Sequence, residues 1–251
     1  MNNHLKMIIV ILISFLFVIS CDEKEIEFEN LYSYKNDKNI CDSLGRPAND
    51  SVSYFPIEYL IDGNSRGIDP YINYRHLIYS DLKVYQVAWS SGFFHEMKEP
   101  ILSNCYLNKE IIRFTLGRTF HPTIIIRIEK KDKDIIVIER KNVVFTSENK
   151  DENNNHYLKI DSTQIIEKIS NFKYDDWLNL IELIKRSSSE LIPSALYEMP
   201  IDGSNWLLEI HTKKGFYFFD RCSPNPKEYP AFRKICEYIL DLSSFKNEER
   251  Y

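Results

Sequence analysis

"TIIIRIEKKDKDIIVIER", Thr123 to Arg140, decides the fold. Two runs rich in isoleucine and valine flank a short charged segment. β-Branched side chains are stiff at χ1 and suit a pleated strand. Thr123–Lys130 and Ile135–Arg140 therefore read as two strands, and the polar "KDKD" between them as a turn. The hairpin makes the sheet antiparallel from its first pair. Lys130, Lys131 and Lys133 form the densest basic cluster of the chain, but Asp132 and Asp134 interrupt it, so it reads as a solvated hairpin tip. With a net charge of −5 and no long Lys/Arg run, the sequence lacks the basic stripe that nucleic acid requires, and no nucleic-acid partner is expected.

The pattern continues outward. "IIRFTL", Ile111–Leu116, alternates as a strand, and "STQIIEKIS", Ser162–Ser170, is a further strand candidate beyond an Asn-rich loop. "WLLEIHTKKGFYFFDR", Trp206–Arg221, gives two more strands around Lys213-Lys214-Gly215. Three helices are expected between and after them. Leu82, Tyr85, Trp89, Phe93 and Met97 share one face from about Asp81 to Lys98, and Pro100 ends it. Trp177, Leu178, Ile181 and Ile184 mark a second, from about Tyr174 to Arg186, with Asp175, Asp176, Lys185 and Arg186 placed to suit the helix dipole. Phe232, Ile235, Cys236, Ile239 and Leu242 mark a third. Hairpins with helices between them predict an α+β fold: an antiparallel sheet built from hairpins, packed by two or three helices, in a single globular domain over 52–251.

The N-terminus carries a different signal. Lys6 precedes an apolar run from Met7 to Ser20 whose only polar members are Ser14 and Ser20. It is shorter than the roughly 20 residues of a transmembrane helix and has the layout of a secretory signal. "VISC", Val18–Cys21, resembles the lipobox of bacterial lipoproteins. The resemblance implies a signal peptide over 1–20, a diacylglyceryl thioether on Cys21 and cleavage before it. At ~0.8 kcal/mol per buried methylene, two or three acyl chains hold a protein firmly on a membrane. Residues 21–51 are polar and aperiodic and read as a tether. Asp22 resembles an inner-membrane retention signal of enteric bacteria and, equally, an acidic surface-export signal of Bacteroidota. The outer membrane or cell surface is the favoured location. The other cysteines, Cys41, Cys105, Cys222 and Cys236, would face an oxidising compartment. Four cysteines permit three pairings, and four buried thiols are the alternative.

Signatures of chemistry are sparse. Seven glycines build no G-x-G-x-x-G or P-loop, and there is no C-x-x-C. Asp62–Pro70 lacks a closing Glu for calcium, and "HEMKE", His95–Glu99, ends in Glu where a zinc helix needs a second His. No metal or cofactor is expected. Two polar clusters stand out. Arg113, Arg118 and His121 pair two guanidiniums with an imidazole, a set that can hold an anion or position a carboxylate. Asp202, Trp206, Glu209, Asp220 and Arg221 surround the late hairpin, whose register is open: Arg221 either faces Trp206 in a cation–π arrangement or lies beside Leu207 within reach of Glu209. Internal ion pairs that fix sheet register are the structural reading of both clusters.

"KEPIL" (Lys98–Leu102), "RTFHP" (Arg118–Pro122) with "IIIRIEK", "DGSNWLLE" (Asp202–Glu209) and "DRCSP" (Asp220–Pro224) resemble a family of uncharacterised Bacteroidota proteins, many of them similar to secreted or lipid-anchored proteins. Cys222 stands where that pattern usually has Trp, so the resemblance implies no disulfide role for it. It implies a phylum and no activity. The resulting expectation is a lipid-anchored envelope protein that binds a protein or small ligand without catalysis, as an immunity or accessory protein for instance. The alternative is an envelope hydrolase or transferase using His121 with nearby Arg or Glu.

Overall fold

The computed structural model describes residues 32–56, 90–150, 156–188, 191 and 203–250. Cys21 and its lipobox, the loop Asp62–Pro70, the first part of the expected helix from Asp81, most of the Asn-rich loop and Asp202 lie outside the described residues.

Six strands form one antiparallel sheet: β1 (Glu110–Arg118), β2 (Ile124–Lys131), β3 (Asp134–Lys150), β4 (His156–Asn171), β5 (Ser204–Thr212) and β6 (Gly215–Cys222). Their order is β4-β3-β2-β1-β5-β6. Helix α1 is described over 90–96, α2 is Tyr174–Ser187 and α3 is Pro230–Asp241. The fold is therefore α+β. No helix among the described residues is long and apolar enough to cross a membrane.

The β2–β3 hairpin closes at Lys131↔Asp134, with Asp132 at φ +54°, a left-handed conformation that Asp tolerates. The expected solvated tip is smaller than its lysines suggest, since Lys130 is buried within 3.6 Å of Glu110. β3 and β4 are longer than the sequence pattern indicates. The register of their pairing shifts between Phe145 and Thr146.

Period-two alternation gives the sheet two faces. The first collects Ile112, Phe114 and Leu116 of β1, Ile124, Ile126 and Ile128 of β2, Trp206, Leu208 and Ile210 of β5, and Tyr217 and Phe219 of β6. Trp177, Leu180, Ile181 and Ile184 of α2 and Phe232, Ile235, Cys236 and Ile239 of α3 cover it. Each such side chain contributes roughly 1.5–3 kcal/mol on burial. Leu178, expected on the buried face of α2, is 46% exposed, and Leu180 takes its place.

The second face carries Ile111, Ile125, Leu207, Phe216 and Phe218 beneath Tyr54, Phe55, Phe93, Phe94, Met97, Ile101 and Leu102. The folded part also begins before residue 52. Tyr32 exchanges two backbone hydrogen bonds with Phe216, of 2.9 and 3.0 Å, and so covers the β6 edge. Tyr34, Ile40 and Cys41 pack on the same core. The polar residues that suggest a tether here build turns instead: Asp42 Oδ1 accepts the backbone N–H of Leu44 and of Arg46, and Asn49 Oδ1 that of Ser51.

Candidate functional site

A layer of charged side chains crosses the second face from β5 to β4, and its hub is Glu99. The end of α1 puts that residue there. Lys98 turns left-handed at φ +55°, Lys98 N–H donates to His95 O and Glu99 N–H donates to Phe94 O. This pattern is a Schellman cap. It reverses the chain and drives the next side chain inward, where Glu99 is fully buried.

Three arginines from three adjacent strands meet it. Arg113 of β1 donates from Nη1 to Glu99 Oε2 (3.1 Å) and to Pro100 O (2.9 Å). Arg127 of β2 donates to the same oxygen. Arg140 of β3 donates to Glu99 Oε1 at 2.5 Å. Arg113 and Arg127 are direct cross-strand partners, a like-charge arrangement that is unfavourable on its own. The Glu99 carboxylate between them removes the conflict. Further out, Arg113 makes a two-point pair with Glu209 of β5, Nε to Oε2 at 2.5 Å and Nη2 to Oε1 at 2.7 Å. Its guanidinium also lies 4.1 Å from the centre of the Phe94 ring. Arg127 Nε contacts Glu129 at 2.9 Å, Lys109 bonds Glu129 at 2.6 Å, and Arg140 Nε bonds Glu167 of β4 at 2.7 Å. Four cations thus meet four carboxylates.

Burial opposes the Glu99 charge, but Arg127, Arg113 and Arg140 outweigh it and hold the carboxyl below its usual range. Burial pushes Glu209 up, against the pull of Arg113, because it faces chiefly one guanidinium where Glu99 faces three. Beside this layer His211 is held as a neutral imidazole, its pKa pushed down to about 4 by burial, with Leu102 O opposing and Arg113 and Lys109 adding. Its Nε2 accepts from Leu107 N–H at 3.1 Å and its Nδ1 lies 2.8 Å from Leu102 O, which fixes the proton on Nδ1.

The sequence clusters are rearranged accordingly. Arg113 and Glu209, assigned to different clusters, form one pair. Arg118 lies on the first-face side, with Nη1 2.8 Å from Glu248 and Nη2 donating to Pro122 O. His121 is 41% exposed and sits 2.8 Å from Glu249. The late hairpin pairs Trp206 with Arg221, yet the cation over the Trp206 ring is Arg233, at 4.9 Å, while Arg221 stacks on Tyr229 at 5.0 Å. Trp206 Nε1 donates to Ser204 Oγ. Asp220 is buried on the second face, and burial pushes its carboxyl up to about 8, with Asn205 and Arg221 opposing. Cys222 ends β6, Cys236 is in the first-face core, and Cys41 and Cys105 touch under the second face.

Sequence reasoning missed Glu99, Arg127, Arg140 and His211. A signal for the first was present: Lys-Glu-Pro after a helical apolar face places a carboxylate at a helix stop. The donors of Arg113 go to Glu209, Glu99 and Pro100 O, and both oxygens of Glu99 are taken by arginines, so the layer locks strand register rather than presenting a reactive group. Among the described residues no cluster of His, Cys, Asp or Glu is arranged to hold a metal ion. No protein-family model and no curated protein matches this chain, so the resemblance to the Bacteroidota family rests on the sequence motifs alone.

Proposed function

We propose that the chain is a lipid-anchored protein of the bacterial envelope, held on the membrane through Cys21, that works by binding a protein or small ligand rather than by catalysis. "VISC" supports the anchor. The observation that carries the non-catalytic reading is where the candidate catalytic groups spend their charge. A hydrolase or transferase built on His121 needs Arg113, Arg118 or Glu209 within hydrogen-bond reach of its imidazole. In the structure His121 pairs with Glu249, Arg118 with Glu248, and Arg113 with Glu209 under the opposite face of the sheet, so each guanidinium is already engaged by a carboxylate.

Two experiments test the two halves. Cys21→Ser abolishes metabolic labelling by a fatty acid and either releases the protein from membranes or leaves an uncleaved precursor; persistent labelling overturns the anchor. Cross-linking on intact cells followed by membrane pull-down recovers a partner at stoichiometric yield. A turnover that His121→Ala abolishes overturns the binding reading.

A further inference from the structure

Two segments far apart in sequence are clamped together under the second face. Asn104 does most of the clamping. Its backbone O accepts from Asn36 N–H (2.8 Å), its Oδ1 from Asp37 N–H (3.1 Å), and its Nδ2 donates to Asp37 O (2.8 Å) and to Cys41 Sγ (3.2 Å). Four residues on, Gly45 O accepts from Ile101 N–H at 2.8 Å. The backbones are so close there that a Cβ on Gly45, which is left-handed at φ +76°, would meet Pro100 Cβ at 2.9 Å. The clamp brings two thiols together. Cys41 Sγ and Cys105 Sγ are 3.8 Å apart, and both residues are buried.

We propose that Cys41 and Cys105 form a structural disulfide in the exported protein, and that Cys222 and Cys236 do not pair. The proposal rests on the envelope reading, because the oxidant lies outside the cytoplasm. A disulfide needs a separation of about 2.05 Å, so each sulfur has to move by about 0.9 Å, the scale of a side-chain rotation. The remaining two cysteines are on opposite sides of the sheet. Cys236 is in the helix-covered core, and Cys222 shares the alternation of Phe218 and Asp220 on the other face.

The chemistry is thiol–disulfide exchange. Two thiols lose two protons and two electrons as the Sγ–Sγ bond forms, and one disulfide of the oxidant is reduced to two thiols. The thiolate is the attacking species, and burial pushes the Cys41 thiol up to about 12 and raises Cys105 as well. The bond therefore forms before the two segments close over it. Once formed, it is shielded from reductants by the same burial, which makes it a staple rather than a redox switch. It closes a loop that contains residues 57–89 and ties the N-terminal segment nearest the anchor to the sheet.

The test starts with the purified full chain, refolded in a buffer of oxidised and reduced glutathione, acid-quenched, unfolded and treated with N-ethylmaleimide. Peptide mapping is expected to find one linked pair, Cys41–Cys105, with Cys222 and Cys236 alkylated and Cys21 either blocked by lipid or alkylated. Any other linkage, or alkylation of both Cys41 and Cys105, overturns the proposal. Reductant is expected to lower the Tm of the oxidised chain by roughly 5–15 °C and to leave the Cys41→Ala/Cys105→Ala variant unmoved. An unmoved Tm for the oxidised chain also overturns it. In cells, lipid-labelled, membrane-bound chain with both thiols free counts against the disulfide. Unlabelled chain recovered from the cytosol counts against the envelope reading instead, while the linkage found in glutathione stands.

Discussion

Toward α2 and α3, strand β1 presents Ile112, Phe114 and Leu116; toward α1 the same strand presents Ile111, Arg113 and Thr115. The first set is held by apolar packing, which is non-directional and tolerates small slides as long as volume is conserved. The second combines apolar packing with Glu99, Arg113, Arg127, Arg140 and Glu209, whose hydrogen bonds have fixed geometry. A buried ion pair adds little net stability over well-packed apolar side chains, but losing one partner is costly. The difference teaches a division of labour: the helix-covered face supplies burial, and the charged face penalises any register but one. A one-residue slip of β1 would place Arg113 among isoleucines and strand Glu209 and Glu99 at once.

The largest expected effect lies at the hub. Glu99→Ala leaves the buried guanidiniums of Arg113 and Arg127 and the partly buried one of Arg140 without their shared carboxylate and should destabilise by ~3–5 kcal/mol in urea denaturation, or prevent folding. A loss below 1 kcal/mol would mean that the charged face is solvated and the contrast between faces is false. On the apolar face, Leu208→Ala should cost about 2–5 kcal/mol through a cavity, with the denaturant slope unchanged.

Next come the titrating groups of the charged face. His211 has a folded pKa pushed below its unfolded value of about 6.5, to about 4. Between those limits the unfolded chain binds the extra proton, so stability falls as pH falls, by up to about 1.4 kcal/mol per pH unit. Nitrogen-edited NMR should show a neutral Nδ1–H imidazole from pH 8 to pH 5; protonation with a midpoint near 6.5 would place His211 in water. Asp220 has the opposite sign. Its folded pKa is raised from 3.8 to about 8, so the folded chain keeps a proton that the unfolded chain loses, and stability falls as pH rises through that window. Asp220→Asn should flatten the slope between pH 5 and pH 7 and leave stability near pH 4 little changed.

Much of the sheet was legible because alternation needs only neighbouring residues. The hairpin around Asp132, the two strands around Lys213-Lys214-Gly215 and the helix faces at Trp177 and Phe232 all follow from local spacing. The charged layer was not legible, for a physical reason. Arg113 and Glu209 are separated by 96 positions, and their meeting depends on the β1–β5 pairing Arg113↔Glu209, which no local pattern specifies. Lys-Glu-Pro marks Glu99 as a helix stop but not as buried, since its burial depends on a left-handed residue, Lys98, at the end of α1. Residues 32–51 misled in the other direction: turn-forming Asp and Asn look the same in a docked segment and in a tether.

The most direct test of the charged face is a double-mutant cycle on Arg113→Met and Glu209→Leu, read by urea denaturation at pH 7. Each single variant should lose about 3–5 kcal/mol, and the double variant should recover most of it, because both charges leave together and the strand pair keeps its burial. Additive losses, or single variants within 1 kcal/mol of the parent, would contradict a buried, mutually dependent pair at the centre of the second face.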